Sequence, residues 1–210
     1  MPLQNRVEPY GTIFRSPARG TMMGNRGGAL HNDQREIVRS FKDRRWITCV
    51  LEFKGRRRAV MSPGRYTELF FLDEAVAFAA GHRPCAECRR ERYNAFRQSW
   101  VLSHAAGGPP RASEMDAELH RHRVDRQGWK VTYLAKLDSL PNGTFLDRDG
   151  SPWLAWDDAL VQWTPAGYTK KDAKPNGLTV TVLTPRPIVD CFRYGYEPET
   201  HDSIRVFAQG

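Results

Sequence analysis

Three short β-strands are predicted in the first half of the chain from its apolar, aromatic and β-branched positions. Residues 46–53 form the clearest run, Trp-Ile-Thr-Cys-Val-Leu-Glu-Phe. A Lys-Gly turn at residues 54–55 and a return strand over residues 57–61 would complete a hairpin. Residues 66–72 predict the third strand. Proline and glycine interrupt any period within residues 1–30, which we therefore expect to be irregular.

Two helices are predicted next, on either side of a short turn that contains two cysteines. Asp73 is a suitable N-cap for an alanine-rich helix over residues 74–80, and Gly81 is the residue type expected just past its end. A second helix is expected to begin near Arg89. Its aromatic residues recur at helical spacing and are expected to pack in the core: Tyr93, Phe96 and Trp100.

The second half of the chain predicts a β-rich domain with flanking helices. Gly and Pro concentrate in residues 105–112, which we interpret as a linker, and a helix is expected over residues 113–123. Strands are expected over residues 130–137, 144–146, 152–156, 160–163 and 178–183, and a C-terminal helix from residue 184. The predicted fold class is α+β: a small α/β module of residues 1–105, followed by a β-rich domain of residues 112–210 with a C-terminal helix.

Positive charge is concentrated at the N-terminal end. The net charge is +8, yet residues 61–210 hold 19 basic and 19 acidic residues. The whole excess comes from residues 1–60, with 13 Lys and Arg against 5 Asp and Glu, and 11 of those 13 are Arg. Because Arg binds phosphate in a bidentate manner, a nucleic-acid partner is expected. A basic surface that only aids solubility is the alternative.

The chain contains no run of about eighteen apolar residues that would span a bilayer. Residues 1–10 lack the apolar core of a secretory signal. We therefore expect a cytoplasmic protein with no membrane partner. Its four cysteines are then expected to be reduced, because disulfides are rare in that compartment. A Cys-x-x-Cys pair in such a chain indicates metal or redox chemistry.

The most informative segment is residues 69–89, which predicts a strand, a capped helix, a tight turn and a Cys-x-x-Cys pair. Cys85-Ala-Glu-Cys88 follows Pro84 and leads into a helix. Two-residue spacing between cysteines is the usual half-site of tetrahedral zinc, so Cys85 and Cys88 are predicted to bind Zn²⁺. A redox-active pair is the alternative, although its flanking sequence would differ from the thioredoxin type.

The same residues resemble the metal-binding module of the bacterial Ada methylphosphotriester DNA-repair family. That module has a strand ending in Phe-Phe and an alanine-rich helix that ends in Ala-Gly-aromatic-Arg-Pro-Cys-x-x-Cys-Arg. Residues 80–89 of this chain are Ala-Gly-His-Arg-Pro-Cys-Ala-Glu-Cys-Arg. The resemblance covers residues 66–92. It implies a zinc site made of four thiolates and contact with DNA phosphates, and so favours DNA over RNA as the partner.

One departure from the family concerns the upstream ligands. The family supplies two upstream cysteines in a Cys-x-x-x-Cys pair, whereas this chain has only Cys49. Methyl transfer to an upstream cysteine is therefore not carried over. Cys49 is predicted as the third ligand, with a buried strand cysteine as the alternative. The fourth position is left to His31, an acidic side chain or water, and imidazole suits zinc.

Seven arginines are predicted to contact nucleic-acid phosphates. Two lie in the Gly- and Arg-rich segment 19–28, whose glycine amides could cradle phosphate or could belong to a tight structural loop. Three follow the predicted hairpin turn, where their side chains would reach a nucleic-acid backbone, and two flank the Cys-x-x-Cys pair. These residues are Arg19, Arg26, Arg56, Arg57, Arg58, Arg83 and Arg89.

A second polar group lies on the helix predicted after the linker. Glu118 and His122 are spaced i, i+4 and could do acid–base work, or could form a solvated helix face. Three functions stay open: a nucleic-acid-binding protein with structural zinc, linked to DNA repair or processing; a zinc enzyme acting on nucleic acid, such as a nuclease or a base-removing enzyme; and a zinc-stabilised protein–protein adaptor. An open metal position would favour the enzyme, and four protein ligands would favour the binding protein.

Overall fold

The computed structural model describes residues 1–55, 59–104 and 108–207. It combines helices with two six-stranded sheets, which confirms the predicted α+β class. The β-rich sheet and the last helix lie in the C-terminal half, as expected. Among the described residues, no helix is both long enough and apolar enough to cross a membrane.

The first sheet is formed by strands from the N-terminal half. Its members are β1 (Gln4–Val7), β2 (Ile13–Arg15), β3 (Met22–Arg26), β4 (Trp46–Cys49), β5 (Leu69–Phe71) and β6 (Arg83–Pro84). Their order is β2-β1-β5-β3-β4-β6. β1 is parallel to β5 and β4 is parallel to β6, while the other neighbours are antiparallel. The β4–β6 pair at one edge places the segments that carry Cys49 and Cys85 side by side.

The expectation of an irregular N-terminus is wrong, because residues 1–30 contain β1, β2 and β3. These strands pair with each other and with distant segments, so their short sequences show no clear local period. Two glycines of the Gly- and Arg-rich segment are needed for close packing. A Cβ at Gly20 would lie 2.0 Å from the carbonyl oxygen of Phe71, and one at Gly24 would lie 2.4 Å from that of Ile47.

The hairpin predicted after residue 46 is not formed as expected. β4 ends at Cys49, and its partners are β3 upstream and β6 downstream rather than the next segment of the chain. Residues 59–61 form no strand, and residues 56–58 lie outside the described part of the chain. The third predicted strand is confirmed as the shorter β5.

The described residues contain four α-helices close to their predicted positions: α1 (Glu74–Ala79), α2 (Arg90–His104), α3 (Ala112–Arg123) and α4 (Arg186–Arg193). The Asp73 carboxylate accepts a hydrogen bond from the Val76 amide at 2.9 Å and caps α1. Gly81 follows the end of α1 with a φ of 86°, in the left-handed region that favours glycine. Local capping explains why α1 can be predicted from sequence.

The second sheet is antiparallel throughout. Its strands are β7 (Tyr133–Lys136), β8 (Phe145–Arg148), β9 (Ser151–Trp156), β10 (Ala159–Thr164), β11 (Gly167–Ala173) and β12 (Thr179–Val182). Their order is β11-β10-β9-β8-β12-β7. The sequence did not predict β11, because this edge strand is mainly polar and exposes several of its residues.

One hydrophobic cluster draws on both sheets. It includes Leu69 and Phe71 from β5 and Phe145 from β8, all fully buried. α1 is buried along its whole length and contributes both to this cluster and to a second one formed with α2 and α4. The division into residues 1–105 and 112–210 stays a prediction, and the two parts share this buried surface.

Candidate metal centre

Three cysteines from two segments of the chain meet at one edge of the first sheet. β4 and β6 run parallel, with Thr48 opposite Pro84, so Cys49 and Cys85 leave the two strands side by side. The Cys85 amide donates to the Thr48 carbonyl at 2.9 Å and fixes this alignment. The sulfur atoms of Cys49, Cys85 and Cys88 lie within 4.8 Å of one another.

Backbone hydrogen bonds set the turn from Cys85 to Cys88. The Glu87 amide donates to the Cys85 sulfur at 3.4 Å. The Arg89 amide donates to the Cys85 carbonyl at 3.1 Å, immediately before α2 begins. An amide donor stabilises a thiolate, because a hydrogen bond to the charged form favours that form. The turn therefore positions Cys85 and favours its ionised state.

The three thiols share protons through contacts between sulfur atoms. Hydrogen bonds with Cys49 and Cys88 lower the pKa of Cys85. Hydrogen bonds with Cys85 and Cys88, followed by burial, raise the pKa of Cys49. Negative charge therefore concentrates on Cys85. Because the thiolate is the form that binds metal, a cation at the centre of the cluster would favour loss of the remaining protons.

This cluster has the chemistry and spacing of a metal site. Zinc binds sulfur at about 2.3 Å, so two sulfur ligands of one tetrahedral ion lie about 3.8 Å apart. The sulfur atoms of the three cysteines, which lie within 4.8 Å of one another, are close enough for this geometry. The cluster could therefore hold a metal ion. Within the part of the chain that the structure describes, no fourth Cys, His, Asp or Glu joins the three cysteines. Three protein ligands leave one tetrahedral position for a water molecule or a substrate atom.

The structure does not bring His31 to this cluster. Its ring is buried, with Nδ1 2.6 Å from the Thr67 hydroxyl and Nε2 3.2 Å from the Ser62 carbonyl oxygen. A carbonyl oxygen only accepts, so Nε2 donates and Nδ1 accepts from the hydroxyl. Both ring nitrogens of His31 are thus engaged within the protein, which corrects its expected place as the fourth ligand.

A cavity of about 910 Å³ opens beside the cluster. All three cysteines line it, together with apolar side chains and the carboxylates of Glu52, Glu68 and Glu87. Glu68 is buried. One of its oxygens accepts from the Met61 amide at 2.8 Å, and the other has no hydrogen-bond partner among the described residues. The sequence signal for Glu68 is an acid inside the apolar run 66–72, which sequence reasoning missed.

Three of the predicted phosphate-binding arginines are internal. Arg83 forms two hydrogen bonds to the Asp116 carboxylate, each 2.8 Å long. Arg89 pairs with Glu74 at 2.7 Å, and Arg26 is only 1% exposed. Ion pairs occupy Arg83 and Arg89, and burial removes Arg26 from the surface, so the contact of these three arginines with phosphates of a nucleic acid bound at the surface does not fit the structure. A count of charges along a sequence does not reveal such burial.

The other predicted arginines have different positions. Arg19 is exposed, and contact between Arg19 and phosphate stays a prediction. The same holds for the residues of the predicted hairpin turn, which lie outside the described part of the chain: Arg56, Arg57 and Arg58. Two exposed arginines that were not predicted lie near the cysteines. Arg45 lines the cavity beside the cluster, and Arg90 lines a neighbouring groove together with Cys88.

The polar pair on α3 is a hydrogen-bonded pair at the surface. His122 Nε2 lies 3.0 Å from a Glu118 oxygen, and Arg121 pairs with the same carboxylate. Burial, followed by the charges of Arg121 and Arg186, lowers the pKa of His122. Neither Glu118 nor His122 belongs to the thiol cluster, and this arrangement is that of a solvated helix face. Catalysis by this pair stays a prediction.

Comparison of the chain with protein families, with curated proteins and with solved structures finds no match. The geometry of the thiol cluster and the charges around it therefore carry the functional interpretation.

Proposed function

We propose that this protein binds one zinc ion through Cys49, Cys85 and Cys88 and contacts nucleic-acid backbone phosphates with the surface beside that site, as part of DNA repair or processing. The observation that carries the proposal is the convergence of three thiols, from segments distant in the sequence, within 4.8 Å. Thiolates are common zinc ligands, and three sulfur atoms this close to one another match the spacing of a tetrahedral site.

Zinc is the metal that this ligand set favours. Thiolates are soft ligands and select zinc, Cu(I) or iron–sulfur clusters over Mg²⁺, Ca²⁺ or Mn²⁺. Cys-x-x-Cys followed by a helix is the usual half-site of structural zinc. The contact between the Glu87 amide and the Cys85 sulfur supplies the hydrogen bond from the surrounding shell that such sites require.

The nucleic-acid half of the proposal rests on exposed positive charge beside the cysteines. Arg45 and Arg90 are exposed and line the spaces that the cysteines also line. Five exposed basic residues lie in residues 35–45, the segment before β4: Arg35, Arg39, Lys42, Arg44 and Arg45. Clustered arginine favours a polyanion through bidentate hydrogen bonds and counterion release. The resemblance of residues 66–92 to the Ada module favours DNA over RNA.

Metal analysis tests the first half. The purified protein should contain close to one zinc per chain, and X-ray absorption should find three sulfur neighbours. Cys85→Ser and Cys88→Ser should each lose the metal and destabilise the N-terminal module, because metal-binding energy is folding energy in such sites. Cys191→Ala is the matched control, since Cys191 is fully buried but outside the cluster, and it should retain zinc. Full zinc content and full thermal stability in both serine variants would contradict the proposal.

Salt-dependent binding tests the second half. Affinity for duplex DNA should fall with salt with a log–log slope of roughly −3 to −6. Arg45→Ala and Arg90→Ala should each flatten that slope by about 0.9 without changing zinc content, since each removes one phosphate contact. The control is Arg205→Ala, an exposed arginine of the C-terminal segment, which should leave the slope unchanged. No binding to DNA or RNA at low salt, in folded and zinc-loaded protein, would refute this half.

A zinc enzyme acting on nucleic acid is the second candidate function. The observations that favour it are the three-thiol ligand set and the cavity of about 910 Å³ beside it. An open metal position is the feature of catalytic rather than structural zinc. A fourth neighbour that is oxygen rather than sulfur in X-ray absorption, and that exchanges with an added anion, would favour this function over a purely structural metal.

A further inference from the structure

Four arginines lie in the interior of the described residues, and they fall into two kinds. Arg83 and Arg89 are each paired with a carboxylate at 2.8 Å or less. Arg26 and Arg123, each 1% exposed, have no ion pair among the described residues. Burying an arginine without a counter-charge is costly. The unpaired arginines therefore mark a place where negative charge is missing.

The two unpaired guanidinium groups lie on Trp46. Each guanidinium carbon lies 4.2 Å from the indole ring. Arg26 donates to the carbonyl oxygen of Gly11 at 2.9 Å, and Arg123 donates to that of Gly81 at 2.8 Å. The Nε–H of Arg123 is buried and has no partner among the described residues. Carbonyl oxygens and the aromatic ring hold these groups in place but do not neutralise them.

Lys130 is a third basic residue near Arg26 and Arg123. The Lys130 ammonium group donates to the Ala79 carbonyl oxygen at 2.7 Å and has no carboxylate partner within the described ranges. Burial, followed by the positive charge of Arg26, lowers the pKa of Lys130 to about 7. His82, whose Nε2 lies 3.3 Å from Arg26 Nε, is held neutral because burial and the charges of Arg26 and Arg123 lower its pKa. Among the described residues no carboxylate forms an ion pair with Arg26, Arg123 or Lys130, and Asp116, Asp43 and Glu8 act on these cations only from a longer distance.

All three cations line one cavity of about 550 Å³ between the two sheets. Asp147 also lines it; this carboxylate accepts a hydrogen bond from Tyr10 at 2.6 Å and forms no ion pair with the three cations among the described residues. Trp129, 74% exposed, lies on the wall of the cavity as well. The volume lies within the range of about 300–1,000 Å³ that is usual for small-molecule sites. The cavity thus combines a cationic interior with aromatic side chains.

We propose that this cavity binds the phosphate group of a phosphomonoester, held by Arg26, Arg123 and Lys130. A doubly charged phosphate supplies the missing counter-charge, and its oxygens accept hydrogen bonds from guanidinium and ammonium donors. Trp129 and Tyr10 are placed to contact the organic part of the ligand, as aromatic rings do with bases and sugars. The phosphate belongs either to a free nucleotide or to the 5′ end of a nucleic-acid strand, which present the same chemistry.

The test is calorimetric titration of the whole chain, as purified, at constant ionic strength. The probes are inorganic phosphate, adenosine monophosphate, and one short oligonucleotide with a 5′-phosphate or a 5′-hydroxyl. The phosphomonoesters should bind and raise the melting temperature. Binding of adenosine monophosphate indicates a free nucleotide, and preference for the 5′-phosphorylated oligonucleotide over both its 5′-hydroxyl form and the nucleotide indicates a strand end.

Two variants and one control make the test specific. Lys130→Met should weaken binding of every phosphomonoester by about tenfold or more, because it removes a charge-assisted hydrogen bond. Trp129→Ala, at an exposed position that does not threaten folding, should weaken the nucleotide more than inorganic phosphate. Lys174→Met is the matched control: Lys174 is half-buried and also donates to a backbone carbonyl, that of Leu140 at 3.2 Å, but does not line this cavity.

Three results would overturn the proposal. The first is no binding of any phosphomonoester at roughly 10 mM, and the second is an equal loss of phosphomonoester affinity in Lys130→Met and Lys174→Met. The third is equal binding of the 5′-phosphorylated and 5′-hydroxyl oligonucleotides together with no binding of adenosine monophosphate. The last result would assign the binding to phosphodiesters. Zinc content and the salt dependence of duplex binding are measured on the same preparations. Failure here is therefore distinguishable from failure of the zinc or nucleic-acid proposal.

Discussion

Replacing Glu74 by Gln should strongly destabilise the fold around the candidate metal centre. Glu74 is the first residue of α1, is fully buried and accepts four hydrogen bonds. One oxygen accepts from Arg89 and from the Tyr196 hydroxyl, each at 2.7 Å. The other accepts from Arg92 at 2.5 Å and from the Glu199 amide at 2.9 Å. Either orientation of a glutamine amide would turn an N–H₂ group toward two donors.

The size of the effect follows from the contacts that remain. Altering one partner of a buried ion pair costs about 3–5 kcal/mol. Arg89 keeps a second carboxylate, that of Glu199 at 2.6 Å, which is about half exposed, so we expect the lower end, about 3 kcal/mol. For a chain of this length each kcal/mol lowers the melting temperature by roughly 2–4 °C, which gives a fall of about 6–12 °C.

Urea denaturation at a fixed free zinc concentration is the assay, because metal bound only by the folded state would otherwise change the apparent stability. Glu36→Gln is the control. Glu36 is exposed and accepts a single side-chain hydrogen bond, from Asn32 at 3.0 Å, so its loss should change stability by less than about 0.5 kcal/mol. A destabilisation by Glu74→Gln of under about 1 kcal/mol would refute the reasoning that this carboxylate neutralises the buried arginines.

Three further predictions follow from single contacts. Cys49 should resist thiol reagents until zinc is chelated, and alkylation at the same rate with metal bound would exclude it as a ligand. Gly81→Ala should lower the free energy of unfolding by about 1–3 kcal/mol, measured by thermal denaturation, because the φ of Gly81 is 86° and a Cβ there would lie 2.7 Å from Arg123 Cδ. Gly55→Ala is the control: its φ is 65° but the space around it is open, so it should lower the free energy of unfolding by less. Because the pKa of Lys130 falls from 10.5 to about 7 on folding, the unfolded chain binds more protons between those pH values. Stability should therefore rise with pH across that window, and urea denaturation of Lys130→Met should lose that part of the rise.

The predictable parts of the fold are those specified by neighbouring residues. α1 follows from the Asp73 cap and the Gly81 stop, which are local in sequence. The strands β1, β2 and β3 could not be predicted because they are three to five residues long and depend on partners elsewhere in the chain. Gly24 shows the difficulty: it looks like a strand breaker, yet its missing side chain lets β3 pass close to the Phe71 ring.

The same distinction applies to the candidate metal site. Cys85 and Cys88 are identified by spacing alone, because two residues and a helix start fix their geometry. Cys49 reaches them through the parallel pairing of β4 and β6, a contact that no local pattern encodes. The resemblance to the Ada module supplied the expectation that an upstream cysteine would join them. His31 lacked any such constraint, and a nearby hydroxyl and carbonyl engage its ring instead.

The basic character of the chain divides into two physically different kinds of positive charge. Exposed side chains such as Arg45 and Arg90 are screened by salt beyond about 10 Å at 0.1 M, so what they bind should weaken steeply as salt rises. Arg26 and Arg123 are buried and already oriented, and buried charges are screened much less. Phosphomonoester binding in the internal cavity should therefore depend weakly on salt, while duplex binding at the surface depends strongly on it. If both activities weakened in parallel with salt, one surface would account for both, and the internal arginines would be structural.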